Sequence, residues 1–259
     1  MTQVYRFSES EILFFFMVLV RMTAFVVSWP VFGSENVNGR IKVLFALVLT
    51  LAVFPTLKFG VAQAEAMRAD LVLLTLKEAF VGLSLGFLAR IFFFAFRVAG
   101  ELLSQAMGLT SAQVFNPALG GQTTAIEQFY VTLASLFYLG VNGHHYLISG
   151  LVSTFEWVPA AVPGLNVSQF SGMGHLVQEI VELGLKFSAP VVISILVVNL
   201  ILGVLGKTVP QLNVLVTSFP INIMIGFFLM MVTLPMLMDQ MGDFLQLSTV
   251  RVFQFVKSF

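Results

Sequence analysis

The sequence predicts an all-α, polytopic membrane protein with about six apolar helical segments. Of its 259 residues, 58% are hydrophobic and only 10% are charged, and the mean hydropathy is +0.96. Soluble domains carry about 25% charged residues, so little of this chain is expected outside a bilayer. A third observation is the apolar stretch from Ala69 to Gly108, which contains no proline.

The composition also narrows the functional classes. Thirteen basic and thirteen acidic residues cancel, so the chain has no basic field for nucleic acid. The absence of cysteine excludes disulfides, thiol catalysis and thiolate metal sites. Glu9 and Glu11 precede the first apolar run and no small-residue cleavage site follows it, so a cleavable signal peptide is not expected.

The apolar stretches follow one another with short polar links between them. Arg21 interrupts the first, and Pro190 and Asn199 lie within the fifth. After the fourth, the Asn142-Gly143 turn leads to a further apolar run that ends at Phe155, and an amphipathic tail follows the sixth. The six stretches cover about residues 12–32, 41–57, 69–108, 126–141, 176–206 and 212–238.

The third stretch is too long for one straight span. A helix of this length reaches roughly 60 Å, about twice the hydrocarbon thickness of a bilayer. It must therefore kink, fold back, or rise out of the lipid within a protein assembly. Its polar and small residues recur at steps of three, four or seven, which places them on one inclined stripe that must face protein or a wet cavity. The stripe consists of Glu78, Gly82, Gly86, Arg90, Arg97, Glu101, Gln105 and Gly108.

Arg21 is a charge in the middle of an apolar helix. Insertion scales put the cost of such a charge at about 2.5–3.5 kcal/mol or more. Arg21 therefore predicts either a cavity-facing group or a structural pair with Glu78 or a backbone carbonyl, and the structural pair is the more common case.

The stripe offers further pairings. Arg97 and Glu101 lie four residues apart, so they could pair within the helix. Gly82 and Gly86 form a small-xxx-small pair, which lets another backbone approach closely. The charges of the stripe are compatible with a proton relay but are more typical of interhelical packing.

An uncharged segment, residues 109–125, joins the third and fourth stretches. Its Asn-Pro and Gly-Gly pairs are turn signals, so its backbone is expected to be irregular. Irregular backbone at membrane depth is tolerated only when it is buried in protein or lines a water-filled path. The segment is therefore either a plain surface loop or a pore plug with Phe115 as the apolar stopper. The predicted plug residues are Gly108, Thr110, Ser111, Gln113, Phe115, Asn116, Pro117, Gly120, Gly121 and Gln122.

Catalytic and metal-binding patterns are weak. His144 and His145 are adjacent and point to different sides of a helix, and no third ligand lies nearby in the sequence. No Ser/His/Asp set, phosphate-binding glycine loop or hydrolase-type carboxylate pair is present. The sequence therefore predicts neither an enzyme nor a bound cofactor or metal.

A set of short motifs occurs in order along nearly the whole chain. They are Arg21 with Pro30-Val-Phe-Gly33, Glu78-Ala-Phe-Val-Gly82-Leu-Ser-Leu-Gly86, Ala99-Gly100-Glu101, Gln105, Gly108-Leu109, Asn142-Gly143-His144, Ala189-Pro190, Asn199, Pro210-Gln211-Leu-Asn213-Val and Phe219-Pro220-Ile. In these motifs the chain resembles the FliR family of flagellar type III export-gate proteins, whose injectisome relatives form the SctT family. Lys207 stands where arginine is expected in the family, a departure that keeps the charge.

The resemblance implies a core channel-forming subunit of the flagellar export gate, in the basal body within the bacterial inner membrane. Such proteins assemble with FliP-like and FliQ-like subunits, usually as one chain per gate, alongside FlhB-like and FlhA-like export proteins. Their helices wind into a closed cone through which unfolded rod, hook and filament subunits pass. The loop after the third stretch helps to plug the channel at the centre of this cone.

The same resemblance divides this single integral-membrane domain into a FliP-like portion, residues 1–170, and a FliQ-like hairpin with its tail, residues 171–259. The hairpin turn would contain Lys207, Pro210, Gln211 and Asn213. Arg21 and the stripe would pack against neighbouring subunits. The alternative is a stand-alone secondary transporter or ion channel that uses Glu78 and Arg90 as its coupling site.

Overall fold

The computed structural model describes residues 8–34, 37–57, 60, 70–111, 123–160, 173–209 and 213–257. This part of the chain contains helices and no β-strand, which confirms the predicted all-α fold class. A 3₁₀ turn, Phe54–Thr56, follows the second helix. The described α-helices are α1 (Glu9–Ser28), α2 (Gly39–Val53), α3 (Leu71–Ala106), α4 (Ala125–Gly140), α5 (Gly143–Trp157), α6 (Met173–Thr208) and α7 (Val214–Lys257).

Five of these helices are long and apolar enough to cross a membrane, namely α1, α2 with its 3₁₀ turn, α3, α6 and α7. Helices α4 and α5, with 16 and 15 residues, are shorter than the roughly 20 residues that a span requires. Helix α3 is continuous over 36 residues, about 54 Å. The third apolar stretch therefore does not fold back, and one helix exceeds the thickness of the hydrocarbon layer.

The helices begin where the sequence supplies capping groups. The Ser8 side chain accepts a hydrogen bond from the backbone N–H of Glu11, whose carboxylate accepts one from the Ser8 N–H, so the two form a capping box. Asn38 and Thr124 cap α2 and α4 with their side chains. Asn142 has a φ of 58°, in the left-handed region that asparagine tolerates, and makes the predicted turn between α4 and α5.

The last helix is longer than the sixth apolar stretch. Helix α7 continues for 44 residues to Lys257, so the amphipathic tail is part of the same helix. Pro220 and Pro235 lie inside α7, and Pro190 lies inside α6. Membrane helices accommodate such prolines because neighbouring groups satisfy the carbonyls that proline leaves free.

The chain forms two compact units. The first contains Met1–Arg90, Asn142–Met173 and Leu247–Phe259, and the second contains Ile91–Val141 and Gly174–Gln246. Helix α3 contributes to both and passes from one to the other after Arg90. The predicted division into a FliP-like and a FliQ-like portion rests on likeness to other subunits and stays a prediction.

The core of the first unit lies on the inner faces of α1 and α3. Thr75 of α3 donates a hydrogen bond to the sulfur of Met17 on α1 across 3.7 Å. The side chains that form this core are at most 2% exposed and are Phe14, Met17, Val18, Met22, Phe25, Val26, Leu74, Val81 and Leu85.

The core of the second unit is aromatic. Phe96 of α3 stacks on Phe187 of α6 with 4.9 Å between ring centroids, and Phe92 stacks on Phe244 of α7 at 5.3 Å. Tyr138 of α4 contacts the same cluster, 6.4 Å from Phe92. Large rings of this kind dominate the burial energy of a core, so the cluster fixes three helices, α4, α6 and α7, around the second half of α3.

Candidate functional site

Arg21 of α1 forms a fully buried ion pair. Its side chain and that of Glu78 on α3 are both 0% exposed, and its Nε and Nη2 atoms each lie 2.6 Å from Glu78 Oε2. Nη1 donates to the Thr154 hydroxyl at 3.1 Å, and Nη2 donates to the Val158 carbonyl at 2.9 Å. The guanidinium carbon lies 4.1 Å from the centroid of the Phe155 ring. The predicted structural partner of Arg21, either Glu78 or a backbone carbonyl, is confirmed, because Arg21 binds both Glu78 and the Val158 carbonyl.

This arrangement ties α1, α3 and the end of α5 together. Lys77, next to Glu78, donates to the Pro159 carbonyl at 3.1 Å and adds a second tie to the same segment. Removing one member of a buried ion pair is destabilising by about 3–5 kcal/mol because the other charge stays buried and unpaired. Sequence reasoning missed Thr154 and Val158, because nothing in the pattern distinguishes their hydroxyl and carbonyl groups from others in the chain.

The next three members of the stripe contact α1. A Cβ added to Gly82 would lie 2.3 Å from the Arg21 carbonyl oxygen, and one added to Gly86 would lie 1.8 Å from Ser28 Oγ. The predicted close backbone approach at these glycines is confirmed. Arg90 Nε donates to the Ser28 carbonyl at 2.7 Å. Because α1 ends at Ser28, this carbonyl belongs to the last turn, whose oxygens lack intrahelical donors, and Arg90 caps it.

The stripe therefore divides into two halves. From Glu78 to Arg90 it faces α1 of the same chain. From Arg97 onward it is exposed, apart from the half-buried Gly108. Packing of the stripe against neighbouring subunits stays a prediction, and the second half is the part with surface available for it.

Arg97 pairs with Glu127 at the start of α4, across 2.5 Å, and the two side chains are 50% and 10% exposed. Arg97 does not pair with Glu101, the partner that their four-residue spacing allowed. Gly100 lets α4 approach so closely that a Cβ there would lie 2.6 Å from the Glu127 Cα atom, which brings a less exposed carboxylate to Arg97. Glu101 instead accepts a hydrogen bond from Gln105 Nε2 at 3.3 Å.

The predicted plug segment is described at its two ends. Gly108 has a φ of +79°, which favours glycine, and a Cβ there would lie 2.7 Å from the Phe219 ring of α7. The Ser104 and Thr124 hydroxyls are in hydrogen-bond contact, so the segment returns close to its origin. Thr110 and Ser111 are half-buried, and the plug role stays a prediction. The other predicted plug residues lie outside the described residues and are Gln113, Phe115, Asn116, Pro117, Gly120, Gly121 and Gln122.

The predicted turn between the last two helices is partly described. Lys207 lies in the last turn of α6, where a positive charge is favourable to the helix dipole. The Asn213 side chain accepts a hydrogen bond from the Val216 N–H at 3.4 Å, at the start of α7. Pro210 and Gln211 lie outside the described residues.

His144 and His145 form a close pair at the start of α5, with ring centroids 4.2 Å apart. Partial burial, together with the neighbouring His145, lowers the pKa of His144 below its usual value. Among the described residues, no group of three or more His, Cys, Asp or Glu side chains is arranged to hold a metal ion.

Residues 12–248 match the family model described as bacterial export proteins, family 1. The flagellar biosynthetic protein FliR of Bacillus subtilis is 35% identical over 223 residues, which covers 84% of this chain and 85% of that protein. The FliR protein of Escherichia coli is 31% identical, with 86% of this chain and 85% of that protein covered. The FliR protein of Aquifex aeolicus is 27% identical over 97% of both chains.

Proposed function

The chain belongs to the FliR family within the bacterial export proteins of family 1, and from this membership we propose that it is a channel-forming core subunit of the flagellar type III export gate. The observation that carries the proposal is the family match across residues 12–248, which leaves little of the chain outside it. The coarser conclusion is that the chain is a component of the flagellar export apparatus. The finer conclusion is that unfolded flagellar subunits pass through a conduit that the chain helps to build and that the segment after α3 plugs.

The geometry of the buried charges supports a scaffold more than the alternative of a stand-alone transporter. A coupling site needs groups that can exchange ions, whereas Glu78 is fully buried in its pair with Arg21. Arg90 caps the end of α1 and lies twelve positions from Glu78, roughly 18 Å along the helix. The two residues therefore serve separate structural contacts. We also propose a non-enzymatic role, which the export function named for the family supports.

The exposed surface of the last two helices supports an assembly within a membrane. The spanning windows of α6 and α7 are only 11% and 22% buried in the chain itself. Such apolar faces require lipid or apolar protein around them. We propose that FliP-like and FliQ-like subunits cover part of these faces, that FlhB-like and FlhA-like proteins adjoin the gate, and that the whole lies in the inner membrane at the flagellar basal body.

A gene deletion tests the proposed function. Removing the gene in the native bacterium should abolish flagellar filaments and the release of hook and filament subunits into the medium. A plasmid copy of the wild-type gene should restore both. A matched strain that carries the Gly140→Ala copy should also export normally, because a Cβ at Gly140 has no atom within 4 Å and the end of α4 is not among the faces assigned to partner subunits. Continued export in the deletion strain would refute the proposal.

A further inference from the structure

We propose that the outer face of the second half of α3, formed by Arg97, Glu101 and Gln105, lines the water-filled path of the gate and contacts the extended polypeptide in transit. We call these three residues the polar face. The inference rests on the proposed function, since it takes the cargo to be an unfolded chain. It places these residues against the polypeptide in transit, whereas the sequence predicts that they pack against another subunit. The experiment below distinguishes these two possibilities.

The first support is a change in what α3 exposes. Between Ile91 and Ala106 the exposed residues are the three of the polar face. Earlier along the same helix, the exposed large side chains from the second turn onward are Leu76, Phe80, Leu83 and Phe87, at 36–65% exposure. The outer surface of one continuous helix thus changes from apolar to polar within about ten residues after Phe87.

The second support is an apolar surface in the same unit alongside the polar face. Helix α7 runs antiparallel to this part of α3, because Phe219 adjoins Gly108 and Phe244 stacks on Phe92. Between Phe219 and Phe244, α7 exposes side chains that are each at least 55% accessible, namely Met224, Phe228, Met231, Val232 and Met236. The unit therefore presents an apolar surface and a polar surface along one stretch of its length.

A single surrounding medium does not suit both surfaces. Charged and amide side chains within membrane segments face the protein interior or a water-filled cavity, because lipid offers them no hydrogen bonds. Exposed methionine and phenylalanine side chains suit lipid or an apolar protein neighbour. An element with both surfaces along the same stretch has the character of a channel wall, so we assign the polar face to the aqueous side.

The chemistry of the polar face suits a polypeptide of any sequence. Arg97 is paired with Glu127, which leaves the Glu101 carboxylate as an acceptor and the Gln105 amide as both a donor and an acceptor. Positions four apart on a helix are separated by roughly 6 Å along its axis. Alternate residues of an extended chain are about 6.6 Å apart, so backbone groups along one edge meet the face at similar intervals. Such contacts are weak and independent of sequence, as a conduit for many cargoes requires.

Cysteine chemistry in the assembled gate tests the inference, since the chain has no cysteine of its own. Glu101→Cys and Gln105→Cys are compared with Met231→Cys and Phe228→Cys, which are 76% and 65% exposed along the same stretch. Each variant is expressed in cells with an export substrate that stalls in the gate and carries one cysteine in its unfolded segment. Two readouts are taken: disulfide crosslinks, and the labelling rate with a charged, water-soluble maleimide in purified gates.

The inference predicts crosslinks between the stalled substrate and positions 101 and 105, and none from positions 228 and 231. It also predicts labelling at least about tenfold faster at the polar face, because thiols react as thiolates in water. The absence of crosslinks between the stalled substrate and positions 101 and 105, or labelling no faster than at the α7 controls, would overturn it. Either result leaves the proposed function standing, because export by these strains and its loss on gene deletion are measured separately.

Discussion

The guanidinium of Arg21 and the carboxylate of Glu78 lie 2.6 Å apart, and neither side chain exposes any surface. A pair of this kind contributes little net stability when complete, but either charge alone is costly. The remaining donors of Arg21 reach Thr154 and Val158, so the same guanidinium fixes the end of α5. The first unit therefore depends on one electrostatic junction between segments that are far apart in the sequence.

The first prediction concerns this junction. Arg21→Met should destabilise the chain by about 3–5 kcal/mol, because Glu78 would stay buried without a countercharge. The double variant Arg21→Met/Glu78→Met should recover part of this loss, since it buries no unpaired charge. The amount of chain retained in the membrane and the thermal midpoint of the purified gate measure both effects.

Arg40→Met, at an exposed position of α2, is the matched control and should change neither quantity. Wild-type levels of the Arg21→Met chain in assembled gates would contradict the structural role. Loss of ion flux alone, with assembly intact, would instead favour the transporter alternative.

The second prediction concerns the crossing of α1 and α3. Gly82→Ala should destabilise the first unit, because its Cβ would lie 2.3 Å from a backbone oxygen of Arg21, which has no freedom to move aside. Gly140→Ala, at the end of α4, places its Cβ in open space and should leave stability unchanged. Protease resistance of the membrane-embedded chain measures the effect, and it should fall in the Gly82→Ala variant but not in the control variant. Equal resistance would show that the close approach at Gly82 is not required.

The third prediction distinguishes the two carboxylates near Arg97. A double-mutant cycle with Arg97→Ala and Glu127→Ala should give a coupling energy of about 0.5–1 kcal/mol, because Arg97 is half exposed and partly screened. The cycle with Arg97→Ala and Glu101→Ala should be additive within about 0.3 kcal/mol. Denaturant titration of the purified gate provides the free energies. A larger coupling to Glu101 would restore the pairing expected from the four-residue spacing.

The fourth prediction concerns the segment between α3 and α4. Because the Ser104 and Thr124 hydroxyls are in contact, a short glycine linker is long enough to replace residues 109–122. Resting gates that carry this deletion should leak ions and small molecules if the segment is a plug. A Gly/Ser segment of the original length is the control for chain length. An unchanged leak in the deletion strain would remove the plug assignment.

The sequence predicted those features that depend on a single residue type and its spacing along one helix. A lone arginine in an apolar helix requires a partner, and Glu78 was the carboxylate on the polar side of the next long helix, so their pairing was foreseeable. The small-xxx-small spacing of the glycines at positions 82 and 86 similarly predicted that another helix, which is α1, packs closely against α3. The partner of Arg97 was not foreseeable, because helical spacing favours Glu101, whereas the choice of Glu127 depends on how closely α4 approaches Gly100.

The sequence also could not predict that the stripe divides into a half that faces α1 and a half that is exposed. Periodicity assigns residues to one face of a helix, but it does not say which neighbour covers that face at each level. Glu78 and Arg90 face α1, while Glu101 and Gln105, on the same stripe, are exposed. Only the tertiary arrangement separates a buried structural contact from a surface that is available to cargo or to another subunit.

The composition of the native complex tests the central claim most directly. The chain, tagged at its carboxyl terminus and purified from membranes in mild detergent, should be recovered with FliP-like and FliQ-like subunits, in a complex whose native mass contains one copy of this chain. Recovery as a stable monomer that binds a small ligand, with no export-gate subunit attached, would contradict the account.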